Sequence, residues 1–377
     1  MSAGLLIAFT LFAATLVQAL IITAWRTAIA KPMQQVAGSD EEAPPITVVV
    51  PARDEERGIA QLLQDLHAQS FPKQRCEVVV VDDGSSDRTL EIAEGMRARW
   101  PEMRVVRNAG EGKKAAITTG VGAAAHEVIV LTDADARCGP GRLRAISSAM
   151  REQQADLLML PVWTEGHGAL GALQSAEQAA LLGMGMGSAL IGAPTLAYGA
   201  NLAFRRTAFQ EVGGYGNDRF ASGDDLFLLR RMQAQGKRIG VLFSKDVLVT
   251  TDAMSTWGAF FSQRLRWAGK MRGAIGVMTL LGPLGLMLPW ILLFVTLRFD
   301  LVISIGQHSF YQLLLIASAW LLWLLPPLGL VRDVQHTLGV QARPVMNVIA
   351  LTAFSMYAPL IAVLSLVVRT TWKGRRV

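Results

Sequence analysis

The chain has 377 residues, 51% of them hydrophobic and 18% charged, and this composition excludes a disordered protein. The formal net charge is +6, yet positions 26–272 carry 29 basic and 28 acidic residues, so no basic stripe suited to a nucleic acid is present. The remaining positive charge lies near apolar segments towards the C-terminus, as the positive-inside tendency predicts for a membrane protein.

Four apolar segments are long enough to cross a hydrocarbon core, which takes about 20 residues as a helix. The first, residues 1–25, lacks the basic start of a signal peptide and is followed by Arg26 and Lys31. We therefore expect a transmembrane helix whose C-terminal end lies in the cytoplasm. The other three segments are 273–297, 301–331 and 345–368.

The C-terminal tail leaves the topology open. Four full spans would place both termini on the side opposite the central domain, whereas the four basic residues between positions 369 and 376 favour the cytoplasm. Segment 273–297, interrupted by Pro283 and Pro289, is therefore expected either to span the bilayer or to be re-entrant or interfacial.

Between residues 46 and 254, after a linker at 26–45, the pattern is that of an α/β domain. Short apolar strands are predicted at 46–50, 77–81, 105–107 and 127–131, and helices at about 55–69, 88–100, 114–125 and 226–235. Alternating strands and helices predict a mostly parallel sheet, in which ligands bind beyond the carboxyl ends of the strands.

Two further features have simpler interpretations. Segment 163–197 is rich in Gly, Ala, Leu and Met and is too interrupted by glycine for a confident helix. It is either a loosely packed core segment or, as we favour, a flexible apolar surface near the membrane that admits a lipid. Cys76 and Cys138 have no metal-ligand spacing, which predicts two reduced thiols.

Acidic residues follow the predicted strands. Asp133 and Asp135, a D-x-D pair, suit a hard divalent cation that offsets the charge of a departing diphosphate, although two aspartates in a turn are often only a turn. The run 82–87 favours a turn and a helix start, and its carboxylates also suit a base or a ribose. Lys113 and Lys114 are either a solvated pair or donors to a diphosphate.

Two later motifs also carry two interpretations each. Asp224 and Asp225 open a predicted helix, where they either cap it or supply a general base. Residues 255–272 form an amphipathic pattern typical of a helix at the bilayer surface. A helix at the bilayer surface does not by itself explain why residues 263–267 have the order Gln-Arg-Leu-Arg-Trp.

Taken together, five motifs resemble, in order, those of family 2 glycosyltransferases. They are Pro51–Glu56, Val81–Thr89, the Asp133 and Asp135 pair, Gly223–Asp225, and Q-x-x-R-W at 263–267. The membrane segments fit the integral-membrane branch, which includes cellulose, chitin and hyaluronan synthases and ceramide glucosyltransferases. The resemblance covers about residues 46–272 and implies an α/β GT-A fold, cytosolic and flanked by transmembrane helices.

The resemblance also implies residue roles. Nucleotide or donor contacts would come from Pro51, Ala52, Arg53, Glu55, Asp82, Asp83, Lys113 and Asp133. Asp133 and Asp135 would hold Mg²⁺ or Mn²⁺, and Asp225 would be the catalytic base. The diphosphate and acceptor side would be formed by Asp224, Gln263, Arg266 and Trp267, with 199–201 as the acceptor loop. The family often has Asn where this chain has Asp54.

The activity expected from this resemblance is inverting transfer of one sugar from a nucleotide sugar, most often UDP-linked in this family, to a lipid-like acceptor. The site would face the cytosol at the inner membrane, and positions 273–377 would form the C-terminal membrane region. The alternative is a processive polysaccharide synthase, which shares every motif. A catalytically inactive scaffold is disfavoured, because no expected acidic position is missing.

Overall fold

The structure is a computed structural model that describes residues 3–31, 43–216, 224–270, 277–298 and 309–368, together with 371–372 and 375–376. The helices are α1 (Ala3–Ile29), α2 (Ile59–His67), α3 (Thr89–Arg97), α4 (Lys113–Ala123), α5 (Arg142–Glu152), α6 (Gly168–Leu190), α7 (Arg206–Glu211), α8 (Asp224–Ala234), α9 (Trp257–Lys270), α10 (Val277–Leu297), α11 (Ser309–Thr337) and α12 (Pro344–Val367). The strands are β1 (Ile46–Ala52), β2 (Cys76–Asp82), β3 (Met103–Arg107), β4 (Val128–Thr132), β5 (Arg137–Cys138), β6 (Leu157–Met159), β7 (Val162–Glu165), β8 (Asn201–Arg205), β9 (Ile239–Val241), β10 (Val249–Asp252), β11 (Thr371–Trp372) and β12 (Arg375–Arg376).

The central sheet has seven strands in the order β3-β2-β1-β4-β8-β6-β9. Strands β3, β2, β1 and β4 are parallel, and β8 runs antiparallel to both of its neighbours. The four parallel strands are those that the alternating sequence pattern predicts. A second sheet of order β5-β10-β7, together with β6, β8 and β9, was not predicted, because these strands are short and lie in segments without a clear period.

The sheet is buried on both faces. Along β1, Val49 packs into one core while Val48 and Val50 pack into the other, because successive strand side chains point to opposite faces. Helices α2, α3 and α5 cover the second face. The first face is covered by α4, α6 and α8, and Ile22 of α1 and Val331 of α11 join the same core. Helices α1 and α11 are thus packed directly onto one face of the central sheet.

The helix predicted from about residue 55 begins later, at Ile59. Residues 53–58 instead form a loop at the end of β1, in which Asp54 has a φ of 50° and the Glu55 amide donates to Thr89 Oγ1 at 2.7 Å. The local sequence favours a helix here, but backbone hydrogen bonds to the neighbouring loop hold these residues out of it.

The interpretation of segment 163–197 as a flexible surface is wrong. Residues 168–190 form the continuous helix α6, and more than half of its side chains are buried. Its glycines allow close contacts: a Cβ on Gly187 would lie 2.5 Å from Trp25 Cβ of α1, and one on Gly183 would lie 2.6 Å from Leu330 Cγ of α11. The intrinsic cost of glycine in a helix, about 1 kcal/mol, is offset by this packing.

Within the described residues, three helices are long and apolar enough to cross a membrane: Ala3–Ile29, Phe310–Thr337 and Pro344–Val367. The predicted span 273–297 corresponds to α10, with residues 273–276 outside the described part. The predicted span 301–331 corresponds to α11, which continues to Thr337; residues 301–308 also lie outside the described part. Of the basic tail, Arg369 and Lys373 are not among the described residues.

The helix predicted at 255–272 is α9, and residues 271 and 272 lie outside the described part. Phe260 on α9 is fully buried in a small core with Leu173 of α6 and Ala350 of α12. Its neighbours Trp257 and Phe261 are exposed. Their ring centroids lie 5.9 Å and 5.2 Å from that of Phe260, so the exposed aromatic side chains border the face of the helix that packs on the protein.

Candidate active site

Parallel strands bring the predicted acidic residues to one edge of the sheet. In the register of β1 and β2, Ala52 is opposite Asp82, and the Asp83 amide donates to the Ala52 carbonyl at 2.9 Å. The chain beyond β4 reaches the same edge with Asp133. The aspartates that the sequence predicts at three strand ends therefore share one edge, as expected for a ligand site of an α/β sheet.

Asp83 is buried and its carboxylate is held by fixed donors. Its Oδ1 accepts from the Gly112 amide at 2.9 Å and from Asn108 Nδ2 at 2.6 Å, and Arg53 Nη1 lies 4.0 Å from Oδ2. Gly112 has a φ of 90°, a conformation that favours glycine and aims its amide at Asp83. Sequence reasoning missed Asn108, which lies just beyond the edge strand β3 in a loop without a recognisable motif.

Asp82 and Asp54 both accept hydrogen bonds from the loop that follows β2. Asp82 Oδ1 accepts from the Ser85 amide at 3.2 Å, which is the turn role that the sequence also allowed. Asp54 Oδ1 accepts from the Ser86 amide at 2.8 Å and from Ser86 Oγ at 3.1 Å. These hydrogen bonds lower the pKa of Asp54, the Ser86 amide being the largest cause. The loops after β1 and β2 are therefore joined through a charged side chain.

A lysine and three carboxylates meet at the end of β4. Lys113 Nζ lies 2.6 Å from Asp133 Oδ1, an ion pair that joins the first residue of α4 to the D-x-D turn. Although the side chain of Asp135 is exposed by accessible surface, partial loss of hydration together with the negative charges of Asp133 and Glu55 raises its pKa to about 6, and Lys113 opposes this rise. The predicted residues Glu55, Lys113, Asp133 and Asp135 are thus brought together.

This cluster fits a divalent cation. The raised pKa of Asp135 reflects the negative charges of Asp133 and Glu55 beside it, and a hard cation relieves that repulsion by binding carboxylate oxygens. Within the described residues there is no group of three or more His, Cys, Asp or Glu side chains arranged to hold a metal. A cation at Asp133 and Asp135 would therefore share its remaining positions with water and phosphate oxygens, as the sequence predicts.

The predicted base Asp225 lies beside residues 199–201, the predicted acceptor loop. Its Oδ2 accepts from the Gly199 amide at 3.2 Å, and its Oδ1 accepts from the Leu226 amide at 2.8 Å. The adjacent Tyr198 is half-buried with its hydroxyl shielded from water, and this shielding together with the charge of Asp225 raises the pKa of its phenol. The carboxylate therefore lies at the start of α8 and beside the predicted acceptor loop. The side chain of Asp224 lies outside the described part of the structure.

Gly199 connects Asp225 to the strand that carries the D-x-D turn. Asn201, two residues further on, opens β8 and pairs with Thr132, the residue before Asp133. Asn201 Oδ1 accepts from Arg142 Nη2 at 2.8 Å, and the same nitrogen donates to Thr132 Oγ1 at 2.9 Å. Arg142 is fully buried, and sequence reasoning missed it because nothing near it in sequence distinguishes it from a surface arginine of an amphipathic helix.

The Q-x-x-R-W segment is organised by the arginine that the motif leaves unspecified. Arg264 forms a buried bidentate ion pair with Glu177 of α6, with Nε at 2.8 Å from Oε1 and Nη2 at 2.7 Å from Oε2. Its guanidinium lies 4.4 Å from the Trp267 ring centroid, and Nη1 donates to Gln263 Oε1. Gln263 and Trp267 are thus held around Arg264 on the face of α9 next to α6. Arg266, on the same helix, is half-buried.

The family model for "Glycosyltransferase like family 2" matches residues 44–270, which is more than half of the chain. Among curated proteins, a beta-monoglucosyldiacylglycerol synthase from Synechocystis sp. is 28% identical over 238 residues, covering 60% of this chain and 47% of that protein. A 4,4'-diaponeurosporenoate glycosyltransferase from Staphylococcus haemolyticus is 35% identical over 117 residues, 30% of each chain. The match thus covers about half the length of the first of these relatives.

Among solved structures, a mannosyltransferase from Pyrobaculum calidifontis, determined with GDP-Man and Mn²⁺, aligns over 96% of both chains with a TM-score of 0.56 and 19% identity. This likeness confirms the GT-A fold, with long apolar helices flanking the domain. With the family match covering the whole set of motifs from β1 to α9, the chain belongs to glycosyltransferase family 2 and is a glycosyltransferase.

Proposed function

We propose that this enzyme transfers one sugar from a UDP-linked donor to a hydroxyl group of a lipid-like acceptor at the cytosolic face of the inner membrane, inverting the anomeric carbon. The observation that carries the proposal is the position of α6. This helix packs against α1, α11 and α12, and the chain that follows it leads directly to Gly199 and its hydrogen bond with Asp225.

The acceptor side of the site is therefore attached to the membrane helices through a single short connection, residues 191–198. An acceptor that stays in the bilayer needs only its head group to reach the carboxylate. Two relatives support this, since one is a beta-monoglucosyldiacylglycerol synthase and the other a 4,4'-diaponeurosporenoate glycosyltransferase. Both compounds are lipids, which supports a lipid-like acceptor here.

The residues of the sheet edge have these proposed roles. The nucleotide is contacted by Pro51, Ala52, Arg53, Glu55, Asp82 and Asp83. The rest of the donor is contacted by Lys113 and Asp133. Asp225 accepts the proton of the acceptor hydroxyl, whose oxygen attacks the anomeric carbon opposite the leaving diphosphate. The diphosphate and the acceptor end of the site are bound by Asp224, Gln263, Arg266 and Trp267. Mg²⁺ or Mn²⁺ at Asp133 and Asp135 would supply Lewis-acid neutralisation of diphosphate charge.

Asp225→Asn tests the base directly. We expect transfer to fall by at least a hundredfold, the lower range for removal of a general base, with UDP binding unchanged. The assay uses purified full-length enzyme in membranes with labelled UDP-sugars, and UDP affinity is measured by calorimetry. Asp252→Asn, an exposed carboxylate on β10, is the control and should leave both values unchanged. Loss of UDP binding in Asp225→Asn would remove Asp225 from the base role.

Product size distinguishes single transfer from polymerisation. We expect one metal-dependent, lipid-soluble product when UDP-glucose, UDP-galactose or UDP-N-acetylglucosamine is offered with Mn²⁺, and none after addition of EDTA. A ladder of oligomers would instead support the processive synthase, which uses the same site residues.

A further inference from the structure

A cavity lies away from the sheet edge, where the ends of two membrane helices meet the catalytic domain. It has a volume of about 420 Å³. The end of α1, the last turns of α11 and the loop after β9 line it, through Ile29, Ala30, Lys31, Phe243, Arg332, Asp333, His336 and Thr337. None of these residues belongs to the proposed donor or acceptor site.

The charges around this cavity favour an anion. Lys31 and Arg332 supply positive charge, and His336 adds two ring nitrogens. Asp333 is the acidic residue among the described lining residues; its Oδ2 pairs with Arg26 Nε at 2.6 Å, and its Oδ1 lies 3.6 Å from Arg332 Nη2. The described groups therefore carry a net positive charge, which suits a phosphate group.

A second cavity adds an apolar part to this candidate site. It has a volume of about 430 Å³, shares Lys31 with the first, and extends one to two turns deeper along α1. Its other lining residues are small or apolar: Thr23, Ala24, Thr27, Ala28, Leu190 and Ile191. A polar cavity at the end of a membrane span and an apolar cavity on its bilayer side, joined at one lysine, match the head group and the acyl chain of a phospholipid.

We propose that these two cavities bind an anionic glycerophospholipid, with its phosphate at Lys31 and Arg332 and one acyl chain between α1 and the end of α6. Basic pockets between membrane helices on the cytoplasmic side are suited to anionic lipid head groups. Ile29 and Phe243 line the polar cavity and also belong to the core of the catalytic sheet or pack beside it. Bound lipid thus stabilises the orientation of the domain on its membrane helices.

The test measures binding without sugar transfer. Full-length enzyme is placed in phosphatidylcholine nanodiscs with increasing phosphatidylglycerol, and the thermal unfolding midpoint is followed. We expect the midpoint of the wild type to rise with the anionic lipid, because a ligand of the folded state stabilises it. The variant Lys31→Gln/Arg332→Gln should bind about 30-fold more weakly, from about fivefold for each cation near an anionic surface.

Controls separate this site from others. Arg88→Gln/Arg97→Gln removes two exposed cations on or beside α3 and should respond to the lipid as the wild type does. UDP binding by the Lys31/Arg332 variant should be unchanged, which shows that it is folded and keeps the donor site. An equal response of that variant to phosphatidylglycerol would overturn the proposal, as would equal stabilisation of the wild type by inorganic phosphate in phosphatidylcholine alone.

Discussion

Asp135 is an exposed aspartate, yet partial loss of hydration and the charges of Asp133 and Glu55 raise its pKa to about 6. In the metal-free enzyme, the folded state therefore holds a proton that the unfolded chain releases near pH 4. The contribution of this group to stability is fully present below pH 4 and is lost as the pH rises through 6. A metal ion reverses the preference, because it binds the ionised carboxylate.

We expect Asp135→Asn to remove this pH dependence. In EDTA, the wild type should lose about 1 kcal/mol of stability relative to the variant between pH 4 and pH 7, because solvent screening at the exposed side chain reduces the effect of a shift of about two pKa units. The measurement is the thermal midpoint of both proteins across that range, with added Mn²⁺ raising the midpoint of the wild type alone above pH 6. Parallel curves for the two proteins would contradict the assignment.

The residues whose position in the fold the sequence predicts are those whose motif coincides with a strand end. Asp83, Lys113 and Asp133 reach one edge because the register of parallel strands brings successive strand ends together. Arg142 and Glu177 could not be found this way. Their partners, Asn201 and Arg264, lie 59 and 87 positions away, and no local period indicates such pairs.

Among the elements, α6 and α9 are joined by the Glu177 and Arg264 ion pair, whose two side chains are 3% and 7% exposed. Glu177→Gln should destabilise the enzyme by about 3–5 kcal/mol, because it leaves a buried guanidinium without its counter-charge. Thermal unfolding in detergent measures this loss. Replacing both residues, Glu177→Met with Arg264→Met, should recover most of the stability while transfer stays impaired, because Gln263 has lost its partner on Arg264.

A stable double variant with full activity would show that the pair serves only the fold. Full activity of Glu177→Gln would likewise contradict a link between this ion pair and the position of the Q-x-x-R-W residues. The comparison of stability with activity is what separates the two roles.

Helix α6 also shows why a local rule failed. Glycine lowers helix propensity, and the glycines of this segment therefore predict a poor helix. In the structure, Gly187 is needed because a larger residue would clash with Trp25. Gly187→Ala should lower the unfolding midpoint, since overpacking costs about 1–3 kcal/mol. Gly95→Ala on α3, where an added Cβ meets nothing within 4 Å, is the matched control and should be neutral or stabilising. Similar midpoints for the two variants would refute close packing at Gly187.

For the whole molecule, the shared core has a consequence for dissection. Ile22, Ile29, Leu330 and Val331 from the membrane helices are buried with the sheet residues. A fragment of residues 43–270 would expose the face of α6 that they cover. We expect this fragment to aggregate without detergent, although it contains the entire family match. Recovery of a soluble, monomeric, UDP-binding fragment by size-exclusion chromatography would show instead that the domain is independent.

The pairing of α1 with α11 also determines when the enzyme can be completed during synthesis. Arg26 and Asp333, which join these helices, are 307 positions apart in the chain. At about 5–20 residues per second, translation takes on the order of 15–60 s to travel between them. Through that interval the first helix waits in the bilayer without its main partner while the catalytic sheet emerges from the ribosome. Assembly of α1 with α11 is therefore a late event, because Asp333 is synthesised only after every strand of the central sheet.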